Sequence, residues 1–176
     1  MSWMLVTAAT PVDPATIAPD TAWTWDSIMD ELDRGTDTGE VLSGASRNGY
    51  LTGAARPIIT HYGPQALAFL DSAPWDAPCN IVGTLLQPPE MAQVVAAVDR
   101  LFDAIATDPA GVLALGVECC CARHLQEHAA QATSSLDPMI EEGDDLPSAL
   151  NFLRSLQALC RRSLEDGRSV LAVQMW

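Results

Sequence analysis

The segment Glu118-Cys119-Cys120-Cys121-Ala122-Arg123-His124-Leu125-Gln126-Glu127-His128 gathers more chemistry-bearing side chains than any other stretch of the chain. His124 and His128 are four apart, so on a helix they share a face and could chelate one metal ion. Cys120 and Cys121, one turn earlier, could complete such a site. Zn²⁺ is the ion that a mixed cysteine and histidine set would take. The pentapeptide HLQEH also fits the H-x-x-E-H pattern of the inverzincin metalloproteases, where Glu127 would be the general base. A pattern with so few fixed positions arises easily by chance, and those enzymes are much larger and take a distant glutamate as third ligand. The simpler alternative is a helix over Val112 to Ala132 whose cysteines are inert small hydrophobes. Burial in the middle of a helix would raise their thiol pKa values.

Two other clusters could bind something. His61-Tyr62 reads as following a short strand and preceding a helix, and the ends of strands are where ligand sites gather in sheet-and-helix folds. With Arg56, Asp71 and Trp75 near in sequence, His61 and Tyr62 could line a pocket; otherwise His61 is a hydrogen-bonded loop histidine. The second cluster is the acidic loop carrying Asp137, Glu141, Glu142, Asp144 and Asp145. It could meet a basic surface, with Trp75 as an exposed aromatic anchor, although charge runs are usually just solvated. Trp3, Trp23 and Trp25 are expected in the core.

Charge narrows the function classes. The chain has 176 residues, 23 acids, 9 bases and a net charge of −14. Every base is arginine. Without lysine there is no Schiff-base lysine, no P-loop lysine and no kinase lysine. So acidic a chain argues against nucleic-acid binding, which needs phosphate neutralisation. A basic protein partner, met by fast and salt-sensitive association, is the complementary expectation. No stretch is long and apolar enough to suggest a membrane span. Met1 to Ala9 lacks the basic start of a secretory signal. The five cysteines, three of them adjacent, do not resemble a disulfide framework. A cytoplasmic protein with reduced thiols is expected.

The elements that must position these residues follow from periodicity. The clearest unit closes the chain. Ala149, Phe152, Leu153, Leu156, Leu159, Cys160 and Leu164 recur at helical spacing, Gly167 suits a left-handed stop, and Val170 to Val173 form a continuous apolar run. Such a run predicts a strand buried on both faces, hence a sheet covered by helices. Met91, Val94, Val95, Val98, Leu101, Phe102 and Ile105 predict a helix from Pro88 to about Ala106, after a strand at Asn80 to Leu86. Earlier, Trp3 to Ala8 reads as a strand that gives way to loop at Pro11. A helix is expected from near Thr21, with Asp20 as cap, Trp25, Ile28, Met29 and Leu32 inward, and Gly35 as its end. Residues 35 to 57 read as a long connection with at most a short element, and Pro64 to Leu70 as a short helix.

In this order of elements the chain resembles the YfbM-like family of small bacterial proteins, a domain of unknown function. The resemblance rests on MSWMLVTAATPVDPATI, on Asp20-Thr21-Ala22-Trp23, on NIVGTLLQPPEMAQVVAAVDRL and on LRSLQALCRRSLEDGRSVLAVQ. It covers roughly two-thirds of the chain and leaves residues 112 to 145 as a variable segment within a single domain over 1 to 176. It implies a compact three-layer α/β domain and carries over no catalytic residue.

The expectation is therefore an α/β (or α+β) domain with a mostly buried central sheet, non-enzymatic, binding a basic protein partner. An immunity-type protein that covers the active site of a basic toxin is its concrete form. No resident cofactor is expected. The alternative is a zinc-binding protein or metal-dependent hydrolase built on Cys120, His124 and His128, or a small-molecule-binding domain around His61.

Overall fold

The computed structural model describes residues 4–17, 22–47, 55–71, 80–134 and 146–175. Its sheet has four antiparallel strands, β1 (Met4–Val12), β2 (Leu42–Arg47), β3 (Ile81–Leu86) and β4 (Ser169–Met175), in the order β2-β1-β4-β3. The helices are α1 (Trp25–Asp37), α2 (Arg56–Tyr62), α3 (Pro88–Thr107), α4 (Pro109–Leu113), α5 (Ala122–Gln131) and α6 (Leu146–Glu165). Short 3₁₀ turns cover Pro14–Thr16 and Ala68–Asp71.

Strand alternation divides the core in two. Ala9, Leu42, Val170 and Ala172 face a large cluster built with Val94, Val98, Leu101, Phe152, Leu153 and Leu156. Their neighbours Ala8, Val12, Leu171 and Val173 face the other way, onto Ile28 and Leu32 of α1. Successive side chains on a strand point to opposite faces, so β4 is buried from Ser169 to Gln174 and its middle, Val170 to Val173, reads as an unbroken apolar run. The result is three layers, α1, then the sheet, then the remaining helices, in an α+β arrangement. No helix among the described residues is long and apolar enough to cross a membrane.

The expected apolar stripes are where the sequence places them. Ala149, Phe152, Leu153, Leu156, Leu159 and Cys160 of α6 are all buried, and Gly167 (φ 67°) makes the left-handed turn into β4. Met91, Val94, Val98, Leu101, Phe102 and Ile105 of α3 are buried likewise.

Several boundaries differ from expectation, each for a physical reason. β1 runs through Pro11 to Val12. Pairing with β2 stops at Ala9, so Pro11 stands where β1 has β4 on one side only, and a missing N–H is tolerated there. The helix expected from Thr21 begins at Trp25. Thr24 caps it through a reciprocal capping box, its Oγ1 accepting from the Ser27 N–H at 3.2 Å and its N–H donating to Ser27 Oγ at 2.9 Å. Gly35 does not end this helix. It is buried inside it, against β1, where an added Cβ would stand 2.0 Å from Thr10 Oγ1 and 2.7 Å from Val41 Cγ2. The left-handed residue after the helix is Gly39 (φ 69°).

Trp25 is not core. It is 46% exposed, the only large hydrophobic that stands so among the described residues. Trp23 packs against the α1 cluster instead. Trp3 lies outside the described residues. Residues 64 to 70 form turn and 3₁₀ structure, and the helix there is α2, one element earlier. Pro57, expected to lead into a strand, stands in its first turn.

Candidate functional site

The cysteine-rich segment is not one helix from Val112 to Ala132. α3 ends at Asp108, whose carboxylate turns to cap α4 by accepting the Gly111 N–H at 3.0 Å. After Leu113 the chain leaves helical geometry through Gly116 (φ 94°), a conformation that costs glycine little. Residues 117 to 121 are extended or bent, and α5 starts only at Ala122. Cys121 is its N-cap, with extended backbone (φ −167°, ψ 165°). The cysteines therefore stand before a helix, not within one. Cys119 is half-buried, while Cys120 and Cys121 are exposed, so the expectation of inert buried thiols fails for both. Cys160 alone among the described cysteines is buried, and burial pushes its thiol up to about 12.

This break brings three ligand atoms together. The sulfurs of Cys120 and Cys121 and a ring nitrogen of His124 all lie within 4.8 Å of one another. The two sulfurs are 3.9 Å apart, and the Cys120 thiol contacts His124 Nδ1. On the other edge of the ring, His124 Nε2 is 4.0 Å from Glu127 Oε2, and Arg123 Nε holds Glu127 Oε1 at 2.8 Å. His128 is half-buried, its ring centre 6.3 Å from that of His124, and it is not part of the triad. The backbone N–H groups that open α5, His124 first and Arg123 after it, hold the Cys121 thiol below its ordinary value against opposing desolvation, although Cys121 makes no side-chain cap hydrogen bond. Cys120 is pushed the other way, by desolvation and then by the adjoining Cys121 thiol.

His61 and Tyr62 do not follow a strand. They close α2. Tyr62 packs on the main core, His61 is exposed, and their rings meet edge-on at 4.7 Å. The Tyr62 carbonyl accepts from Arg100 Nη2 at 3.1 Å. The nearest cleft, about 330 Å³, is lined by Gly63, Pro64, Gln65, Gln93 and Arg100 among others, and by neither His61 nor Tyr62. Asp137, Glu141, Glu142, Asp144, Asp145 and Trp75 lie outside the described residues.

A second acidic surface is described, on α1. Ile28, Leu32 and Gly35 face the sheet. Asp26, Asp30, Asp33 and Asp37, spaced four, three and four apart, form a stripe on the opposite face, all exposed. Exposed Trp25 begins the same helix. Sequence periodicity predicts Asp26, Asp30, Glu31 and Asp33 on the solvated face; the three aspartates are exposed, Glu31 is only partly so, and exposed Trp25 is missed because it falls in phase with Ile28 and Leu32.

A cleft of about 450 Å³ opens where the end of α1 meets the end of β1 and the entry of β4. Glu40 and Arg168 cross it, with Nη1 to Oε2 at 2.9 Å and Nη2 to Oε1 at 2.8 Å. Asp166 adds a bond of 2.7 Å. The Arg168 guanidinium holds the Glu40 carboxyl below the usual carboxylate range, outweighing its desolvation. Arg168 is raised in turn, chiefly by Glu40. With Arg168 paired to Glu40 and Asp166 and Arg34 paired to Glu31, both arginines of the cleft meet carboxylates and the Glu40–Arg168 pair acts as a structural clip, leaving Arg168 Nε buried without a partner.

No family profile, curated sequence or solved structure gives a significant match to the chain.

Proposed function

We propose that this chain is a non-catalytic domain that binds a basic protein partner through the outer face of α1. One observation carries the reading: Trp25, 46% exposed, stands on the same helix as an outward stripe of aspartates. A partly exposed tryptophan offers a large apolar contact, and hot spots of interfaces are rich in this residue. The aspartates on the outer face of the same helix supply long-range attraction for a cationic surface and set specificity by charge. The net charge of −14 extends that attraction beyond α1.

The most specific form is an immunity-type protein, an acidic cover over the active site of a basic toxin in the cytoplasm. Kinship with the YfbM-like family belongs to the same proposal and adds no activity to it.

The test is affinity capture at low salt, followed by purification of the captured protein and titration across a salt series. The expected partner is basic, its affinity falls steeply with salt, and both Trp25→Ala and the set Asp26→Asn, Asp30→Asn, Asp33→Asn, Asp37→Asn weaken it. Failure to recover a specific basic protein, or capture indifferent to both variants, overturns the reading.

A further inference from the structure

We propose that Cys120, Cys121 and His124 form a zinc site with its fourth position open to solvent. The site is separate from the partner face of α1 and does not depend on it.

The geometry points to a metal rather than to three unrelated side chains. Two thiolates bound to one tetrahedral zinc at about 2.3 Å stand roughly 3.8 Å apart. The sulfurs of Cys120 and Cys121 are 3.9 Å apart, with the His124 nitrogen inside the same 4.8 Å group. His124 turns Nδ1 toward Cys120, which leaves Nε2 to carry the proton. That atom faces Glu127, and Arg123 fixes the carboxylate. A carboxylate behind a ligating imidazole is the usual way such a ring is oriented.

The frame is local and set by the backbone. The Cys121 carbonyl accepts the Leu125 N–H at 3.1 Å in the first turn of α5 and the Cys119 thiol at 3.6 Å. Cys121 is therefore fixed at the helix start, with His124 one turn on. Cys119 is turned away and is not a ligand. Thiolate and imidazole together favour zinc over magnesium, calcium or manganese, which prefer oxygen. On binding, each thiol releases its proton to solvent and the ion accepts a lone pair from each sulfur and from Nδ1. With only protein ligands from three side chains, the last position takes water or an added ligand.

The test uses the full chain, stripped of metal and kept reduced by a non-thiol reductant under anaerobic conditions. Zn²⁺ is titrated by calorimetry, and Co²⁺ serves as the spectroscopic probe because thiolate coordination gives a charge-transfer absorption. The expected result is a single ion per chain, with that absorption reduced in Cys120→Ser and in Cys121→Ser and abolished in the double variant. His124→Ala removes tight binding, Glu127→Gln weakens it roughly 10–100-fold, and His128→Ala leaves it unchanged. The ligands are exposed, so these variants are expected to keep the fold, which circular dichroism checks. No uptake by the unmodified protein overturns the site. So does uptake that persists in the double cysteine variant, which marks an adventitious ion only. Loss on His128→Ala equal to that on His124→Ala would assign the ion to the histidine pair instead.

Discussion

Arg168 clasps Glu40 with two hydrogen bonds, 2.9 and 2.8 Å, across 128 positions of sequence. The pair ties the turn after α1 to the entry of β4. It thereby fixes the layer that carries Trp25 and the aspartate stripe against the sheet. About a quarter of each side chain is exposed, 25% for Arg168 and 23% for Glu40, so the pair is neither a free surface bridge nor a fully buried one.

This pair predicts an acid-sensitive contribution to stability. The Glu40 carboxyl is lowered in the folded state, chiefly by Arg168. Its stabilisation is therefore fully present above the unfolded carboxylate value, about 4.3. It is lost as pH falls through the lower folded value. Glu40→Gln should cost about 1.5 kcal/mol near neutral pH, the low end for hydrogen bonds to charged groups because water reaches the pair. Urea unfolding of both proteins from pH 7 to pH 3 should show the difference shrinking on the acid side.

Gly35→Ala sets helix propensity against packing. In an open helix the change would gain about 1 kcal/mol. Here the new methyl would stand 2.0 Å from Thr10 Oγ1, and Thr10 is 0% exposed on a sheet strand. Overpacking of this kind costs about 1–3 kcal/mol. Packing wins, and a lowered midpoint in thermal unfolding is the expected reading.

The thiols should react in a fixed order in metal-free protein. Cys121 is exposed and lowered by the α5 N-terminal N–H groups, Cys120 is exposed but raised, and Cys160 is buried and pushed up to about 12. Because the thiolate is the nucleophile, alkylation should begin at Cys121 at a pH below the ordinary thiol range, reach Cys120 later, and reach Cys160 only on unfolding. Peptide mass spectrometry after timed labelling across pH distinguishes the sites. Labelling that starts at Cys120 would contradict the lowering of Cys121 by the N–H groups at the start of α5.

Trp25→Ala separates binding from folding. The side chain is already 46% exposed, so the substitution should change stability by less than about 1 kcal/mol. A larger loss in denaturant unfolding would mean that Trp25 supports the core more than its exposure implies, and would remove it as an interface anchor.

The α6 stripe and β4 were legible because their signals are periodic and local: apolar residues every three or four positions, then Gly167, then an unbroken apolar run. α3 was legible for the same reason. A glycine demanded by close approach to Thr10, as Gly35 is, looks the same in sequence as one demanded by a left-handed stop. The stretch before His61 is helical and not the expected strand, because Pro57 sets the first turn of α2 and Ile58 and Ile59 are buried in the main core. In the cysteine and histidine segment, Cys120, Cys121 and His124 come together as a group, and His128 stands apart from it. Continuous helical spacing would join His124 to His128 as well, whereas the break before Ala122 brings Cys120 and Cys121 to His124 alone. The Glu40–Arg168 pair had no local signature, since nothing in an acid-rich chain marks which carboxylate will meet a distant arginine.

The strand order has a consequence for how the protein is made. β4 sits between β1 and β3, with Val6 opposite Met175 and Val12 opposite Ser169. A ribosome delivers β1 first, yet its inner edge has no neighbour until Ser169–Met175 emerges. Until then the nascent chain carries the unpaired edges of β1 and β3 and an uncovered apolar face, the features that chaperones bind and that aggregation exploits. Such distant pairing also slows the final closure. The molecule thus depends, during synthesis, on its buried central strand arriving in time to fill the gap between two strands made before it.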